Sequence, residues 1–243
     1  MTLLDQTCNP DAVAHGHFAW ESLKQDTPFA YTCNRCNRCC RHFSIPLSPF
    51  DLLRLADSLG ITTTETIKQH LDGNNRLRRR TDGACGFLTD QGCSAHGGRP
   101  LVCRIYPLAR HITHSGELFS ALAPVPGSAA EWGLDGNVAN YLAGQDAALS
   151  IQGYDLYSRL HYRIEQRLKQ FMTEASCSSR ADKPLNLGLF PGGILDPDPT
   201  IRGYCLHHKL PVPSSLPDKA ACHVLAIEEW VELKLKEMRH DQI

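Results

Sequence analysis

The sequence lacks any uninterrupted apolar run near the roughly 18 residues that a membrane-spanning helix requires, so no segment is expected to cross a bilayer. Met1 to Trp20 offers neither a basic leader nor an apolar stretch. Asp5, Asn9, Asp11, His15 and His17 stand there instead, and no secretory signal is expected. Net charge is nearly absent: 25 Lys and Arg against 26 Asp and Glu leave −1. Such a balance supplies no global field to hold nucleic acid or an anionic membrane. Internal repeats and low-complexity tracts are missing too. No Ser/His/Asp order or paired-carboxylate motif stands out. The glycine-rich stretch from Gly188 to Gly193 carries a proline and lacks the strand–turn–helix setting of a nucleotide or methyl-donor loop.

What the chain has instead is cysteine, 11 in 243 residues. Without an export signal the expected compartment is the cytoplasm. In a reducing setting so many thiols read as metal ligands or redox groups rather than a disulfide framework.

Seven of them fall in two blocks. The first is Cys33-Asn34-Arg35-Cys36-Asn37-Arg38-Cys39-Cys40. Two residues between cysteines let a turn aim both sulfurs at one ion, as in zinc knuckles and ferredoxins. A third cysteine at that spacing exceeds the usual zinc pair and can place three thiolates on one face of a cubane, leaving the fourth iron for a remote ligand. Cys40 diverges from its neighbour, so it serves a second centre or packs as a small apolar side chain. The second block runs Cys85-Gly86-Phe87-Leu88 to Cys93, then Arg99-Pro100-Leu101-Val102-Cys103-Arg104-Ile105-Tyr106-Pro107. Seven thiols exceed one tetrahedral site by three. Two centres are countable if His42 or His96 completes the second, and so is one [4Fe–4S] cluster with three cysteines left over. Four thiolates around a dication or a [4Fe–4S]2+ core leave about −2, costly to bury uncompensated. Arg99 and Arg104 could neutralise that charge, or could cap turns through backbone carbonyls.

These two blocks resemble the YkgJ-type CxxCxxCC family, over roughly Cys33 to Arg110. The resemblance implies zinc or iron chelation by these cysteines. A more distant similarity is to FliB-type flagellin lysine N-methylases, which implies an iron–sulfur centre and S-adenosylmethionine. Many relatives carry a further cysteine after the Tyr-Pro step, where this chain reads Ala121-Leu122-Ala123-Pro124-Val125-Pro126-Gly127.

The remaining pattern is α+β and mainly helical, an irregular Cys-rich metal-binding region with short strands packed among helices. A helix is expected over Asp11 to Gln25, then an irregular loop from Thr32 to Ser44. Ser48-Pro49-Phe50-Asp51 opens a helix lined by Leu52, Leu55, Ala56 and Leu59 and stopped by Gly60. Thr62 and Glu65 form a capping box for a helix to about Leu71. Strands are expected near Phe87-Leu88, Val102 to Tyr106 and Glu117 to Leu122, and a loop over Pro124 to Gly136. Tyr157, Leu160, Ile164, Leu168 and Phe171 line a helix from Tyr154 to Ala175. Ser178 to Pro213 reads as an extended loop. From Ser215 a last helix carries Val224, Ile227, Val231, Leu235 and Met238 on its buried side. The organisation expected is 1–125 for the cysteine-cluster region, core motif 33–110, and 126–243 for a helical region packed on it.

Weaker signals read blandly. Cys205, His207, His208, Cys222 and His223 lack standard zinc spacing and read as buried thiols with exposed histidines. Cys8 and Cys177 read as ordinary thiols. Arg76, Arg78, Arg79 and Arg80 read as a solvated face rather than a phosphate site. The function expected is metal binding through Cys33, Cys36, Cys39, Cys40, Cys85, Cys93 and Cys103. The cofactor is an iron–sulfur cluster, [4Fe–4S] by ligand spacing, or zinc, in a redox, maturation or protein-modification role. Expected partners are the metal or cluster and a protein or peptide, with no nucleic acid and no membrane. The alternatives are a methylase-like enzyme acting on a protein or peptide, and a binding module that zinc merely organises.

Overall fold

The computed structural model describes residues 18–113, 116–176 and 196–240. Cys8, Cys177 and the Gly188–Gly193 stretch lie outside them. The chain divides into two compact units. One comprises residues 1–47 and 69–150, the other residues 48–68 and 151–243. Each is mainly the product of one kind of local pattern, and together they give the mainly helical α+β class that the sequence implies.

The first unit holds every described strand. β1 (Phe18–Leu23), β6 (Gly116–Leu122) and β5 (Leu108–Thr113) form an antiparallel sheet in the order β1-β6-β5. The expected helix over Asp11 to Gln25 is therefore corrected in its described part. Phe18 pairs with Leu122 and Leu23 with Phe119, and sheet hydrogen bonding overrides the helical reading. β5 and β6 run in unbroken register from Leu108 opposite Ala121 to Thr113 opposite Gly116. β2 (Pro28–Thr32) pairs with β7 (Glu131–Asn137), setting Tyr31 opposite Trp132 and Thr32 opposite Glu131. β7 falls within the expected loop Pro124 to Gly136. Its two glycines and an aspartate carry poor strand propensity, and only the pairing with β2 makes it a strand. β3 (Leu88–Thr89) and β4 (Gly92–Cys93) make a small hairpin.

Short helices complete this unit: α1 (Arg38–His42), α4 (Leu101–Ile105) and α5 (Val138–Gly144). α4 replaces the strand expected over Val102 to Tyr106. The amides of Cys103 and Arg104 both donate to the Pro100 carbonyl, 3.0 Å each, which closes a helical turn immediately after the proline.

The second unit is helical: α2 (Pro49–Leu59), most of α3 (Thr63–His70), most of α6 (Ala148–Ser176), α7 (Pro197–His208) and α8 (Leu216–His240). α2 has the reciprocal capping box read from its sequence. The Asp51 amide donates to Ser48 Oγ at 3.1 Å, and the Ser48 amide donates to the Asp51 carboxylate at 3.1 Å. Gly60 follows in the left-handed conformation, φ 68°. Phe50, Leu52, Leu53 and Leu55 on α2, Tyr157 and Leu160 on α6, and Val224, Ile227, Val231 and Leu235 on α8 are buried.

α7 corrects the loop expected over Ser178 to Pro213. Pro197 and Pro199 both fall in its first turn, where the amides have no partner within the helix, so the missing donors cost nothing. Its start is tied to that of α3. The Thr63 amide donates to Asp198 Oδ2 at 2.8 Å and the Asp198 amide donates back to Thr63 Oγ1 at 3.0 Å. Among the described residues no helix is long and apolar enough to cross a membrane.

Candidate metal centre

All seven cysteines of the two blocks belong to the first unit, and all carry free thiols. Cys33 is exposed and the other six are half-buried. β2 leads straight into the first block. Within that block Arg35 and Asn37 adopt left-handed backbone, φ 50° and 61°. The two reversals interleave with Cys33, Cys36 and Cys39 and curl the loop. Asn tolerates this conformation, while at Arg35 it costs about 1–2 kcal/mol. The loop is then anchored from outside. Asn34 Nδ2 donates to the Ala129 carbonyl and to Glu131 Oε1, 2.9 Å each. Cys36 Sγ lies 3.9 Å from Ser128 Oγ.

The second block is stitched to the first through backbone. The Cys85 amide donates to the Cys40 carbonyl at 2.9 Å. Arg79, half-buried, spans both blocks. Its guanidinium donates to the carbonyls of Phe43 and Arg41, 2.6 Å each, and to that of Gly83. Arg80 Nη1 reaches the Leu88 carbonyl at 2.9 Å, and Arg78 Nη2 the Leu71 carbonyl at 2.9 Å. The arginine run is therefore scaffolding for the cysteine loops and not merely a solvated face, although Arg78 and Arg80 keep exposed surface. Gly86 answers a close approach. A β-carbon there would lie 3.0 Å from the Arg78 carbonyl oxygen, to which the Gly86 amide donates at 2.8 Å.

Cys39 Sγ and Cys40 Sγ are 3.9 Å apart. Hydrogen bonding between them holds the Cys39 thiol below its ordinary value and pushes Cys40 far up. The Cys36 thiol is also lowered, first by the Ala129 and then by the Arg38 backbone amide. Burial raises Cys85 and Cys93. The sulfurs also repel one another, Cys40 feeling Cys39 and Cys36. Cys39 feels Cys103 and Cys33. Cys93 feels Cys40 and Cys85, and Cys85 feels Cys40. Arg79 and Arg80 counter the charge on Cys85, and Arg99 that on Cys93. No three of the seven sulfurs lie within 4.8 Å of one another. Among the described residues the ligand-type trio that tight is His207, His208 and Glu229, in the second unit.

Arg104 takes the carbonyl-capping role. Nη2 donates to the Gly97 carbonyl at 2.7 Å and Nη1 to that of Gln145 at 2.9 Å, with Asp146 3.6 Å away. Arg99 Nη2 reaches Gln145 Oε1 at 2.8 Å, and its Nη1 meets His96 Nε2. His96 is thus engaged by an arginine, and the His42 ring lies edge-on to Phe43, centroids 4.9 Å apart.

The sequence reading missed an aromatic wall. The Tyr31 ring lies edge-on to Tyr106, Trp132 and Tyr141, with centroids 5.9, 5.2 and 6.2 Å away. Phe43 packs on Tyr106 at 5.5 Å. Burial pushes the Tyr106 phenol up to about 12, and thiolate charge at Cys39, Cys36 and Cys33 adds to it. Burial likewise raises Tyr31, with Tyr106 and then Cys33 and Cys39 contributing. Tyr31 and Tyr106 flank the motifs and were visible as such. Trp132 and Tyr141 carried no signal, because neither β7, which holds Trp132, nor α5, which holds Tyr141, was legible.

Residues 32–123 match the family model of CxxCxxCC, a "Putative zinc- or iron-chelating domain". This stretch of the chain is similar to the CxxCxxCC domain. It takes in both cysteine blocks, Arg79, Tyr106 and the β5–β6 hairpin, and ends before Ser128 and Trp132. No curated protein matches the chain, and no solved structure does.

The donor set suits the metals in that description. Free thiols, two of them held below their ordinary pKa, are soft ligands for zinc or for iron–sulfur clusters. Nearby guanidinium groups and backbone amides compensate thiolate charge. The match and the donor set together point to zinc or iron chelation by this stretch.

Proposed function

We propose that the CxxCxxCC domain holds a [4Fe–4S] cluster through Cys33, Cys36, Cys39 and Cys103, with Cys40, Cys85 and Cys93 as a second ligand group beside it. The observation that carries this reading is that Cys103, remote in sequence, is electrostatically coupled to Cys39 and so joins the C-x2-C-x2-C thiols. Cys40 is coupled to Cys39 and Cys36 and is also felt by Cys85 and Cys93, so it stands between the two groups. Three close cysteines plus one remote cysteine is the ligand arithmetic of a cubane.

Such a cluster supplies one-electron chemistry. The chain's own part is to bind and tune it. Backbone amides lower Cys36, Arg79 and Arg99 offset charge on Cys85 and Cys93 beside it, and Tyr31 and Tyr106 pack next to the first block. Cys33 is exposed, which leaves the loop open towards solvent and suits redox exchange with, or modification of, a protein partner. The reading belongs in a reducing compartment such as the cytoplasm, where thiols persist.

Serine replacement tests the ligand set, because serine keeps the size but is a poor thiolate substitute. Cys33→Ser, Cys36→Ser, Cys39→Ser and Cys103→Ser are each expected to lose iron and sulfide, whereas Cys222→Ser retains both. Normal metal content in Cys103→Ser would refute the grouping.

A further inference from the structure

The second unit carries its own ligand-type cluster. His207 and His208 close the last turn of α7, and Glu229 lies midway along α8. His208 Nε2 is 2.7 Å from Glu229 Oε2, and His207 Nε2 is 4.0 Å from Glu229 Oε1. The three donor atoms all lie within 4.8 Å of one another. Two imidazole nitrogens thus face the two oxygens of one carboxylate.

Packing fixes this arrangement. Tyr204, one turn before His208, lies against its ring with centroids 4.4 Å apart. The His207 ring stands nearly perpendicular to that of His208 at 4.9 Å. Behind them Cys205 and Cys222 are buried with their sulfurs 3.6 Å apart, pinning α7 to α8. The ligands therefore sit on packed helices, where geometry is better held than on loops.

Charge singles out Glu229. Glu228 is met by Arg163 of α6 at 2.5 Å, and Glu232 by Arg167 at 2.9 Å. Glu229, between them in sequence, faces imidazoles instead. A neutral imidazole brings a lone pair rather than a positive charge. A divalent ion would satisfy both lone pairs and the carboxylate together.

We propose that His207, His208 and Glu229 form a surface site for a divalent first-row transition ion, zinc being the ion that imidazole and carboxylate suit, with a coordination position left open. Two histidines and one glutamate with a fourth, exchangeable position is a ligand set that zinc accepts. The His207 and His208 side chains are 75% and 36% exposed. The ion is therefore in exchange with solution and held more weakly than by thiolates.

The test uses the full chain, purified without oxygen, exposed to excess zinc and gel-filtered so that the cysteine centre is filled. Calorimetric titration with zinc should then show one further equivalent. His207→Ala, His208→Ala and Glu229→Gln should each weaken it more than about tenfold, the lower end of what loss of even a supporting group does to a metal site. Thermal melts and metal content at the cysteines should match the parent in all three, which separates failure here from failure of the cluster reading. Long-range nitrogen NMR should show both Nε2 signals shift on zinc addition. No further equivalent, or unchanged affinity in any of the three variants, would overturn the site.

Discussion

At the scale of single residues, the cysteines were legible and their supports were not. C-x2-C-x2-C-C is a local spacing that suggests its chemistry directly, and all seven cysteines of the two blocks fall in one unit of the fold. Arg79 shows what spacing cannot reveal. It sits in a run of four arginines within five positions, which reads as solvated charge, yet its guanidinium ties Arg41 and Phe43 to Gly83. No periodicity marks a side chain that donates to carbonyls of two separate loops. Arg79→Lys cannot reproduce a planar three-carbonyl fork. It is expected to lower metal retention several-fold during chelator challenge while leaving the helical circular dichroism intact. Retention equal to the parent would show that the clamp is dispensable. Gly86→Ala forces a β-carbon to 3.0 Å from a backbone oxygen that is itself held in a hydrogen bond. The cost should be about 1–3 kcal/mol by denaturant unfolding, although alanine is otherwise the less flexible residue.

At the scale of elements, helices with complete end signals were read correctly, and elements made by tertiary pairing were not. α2 has its serine cap, proline, acidic third position and stop glycine all in local sequence. β7 owes its existence to β2, and α7 hides between prolines that also signal loops. α6 adds a case where propensity and packing oppose each other. Gly153 lies inside this helix, where alanine would be favoured by about 1 kcal/mol. An added β-carbon would clash with the Phe50 ring, which is fully buried. Gly153→Ala is therefore expected to destabilise the second unit by about 1–3 kcal/mol, opposite in sign to helix propensity. Chemical denaturation followed by circular dichroism decides it, and a stabilised variant would show that the Phe50 contact is loose.

At the scale of the molecule, irregular chain and packed helices divide the labour of folding. The cysteine-bearing stretches on either side of α2 and α3, residues 32–47 and 71–107, are mostly turn and loop, so little regular hydrogen bonding offsets the entropy of ordering them. Metal bridging Cys33–Cys40 to Cys85, Cys93 and Cys103 closes loops of about 45 to 65 residues, where closure removes much unfolded-state entropy. Metal binding there should act as folding free energy. Amide exchange is expected to show residues 32–47 and 71–107 losing protection in apo protein while α2, α6 and α8 keep theirs. Equal protection in both forms would mean that the backbone stitches, Arg79 among them, preform the site. The identity of the metal bears most directly on the whole account. The chain should be purified without oxygen from cells that assemble clusters normally, and assayed for iron, zinc and acid-labile sulfide. A brown protein with iron and sulfide near four each per chain is the expected result. A colourless protein with stoichiometric zinc and no sulfide would contradict it.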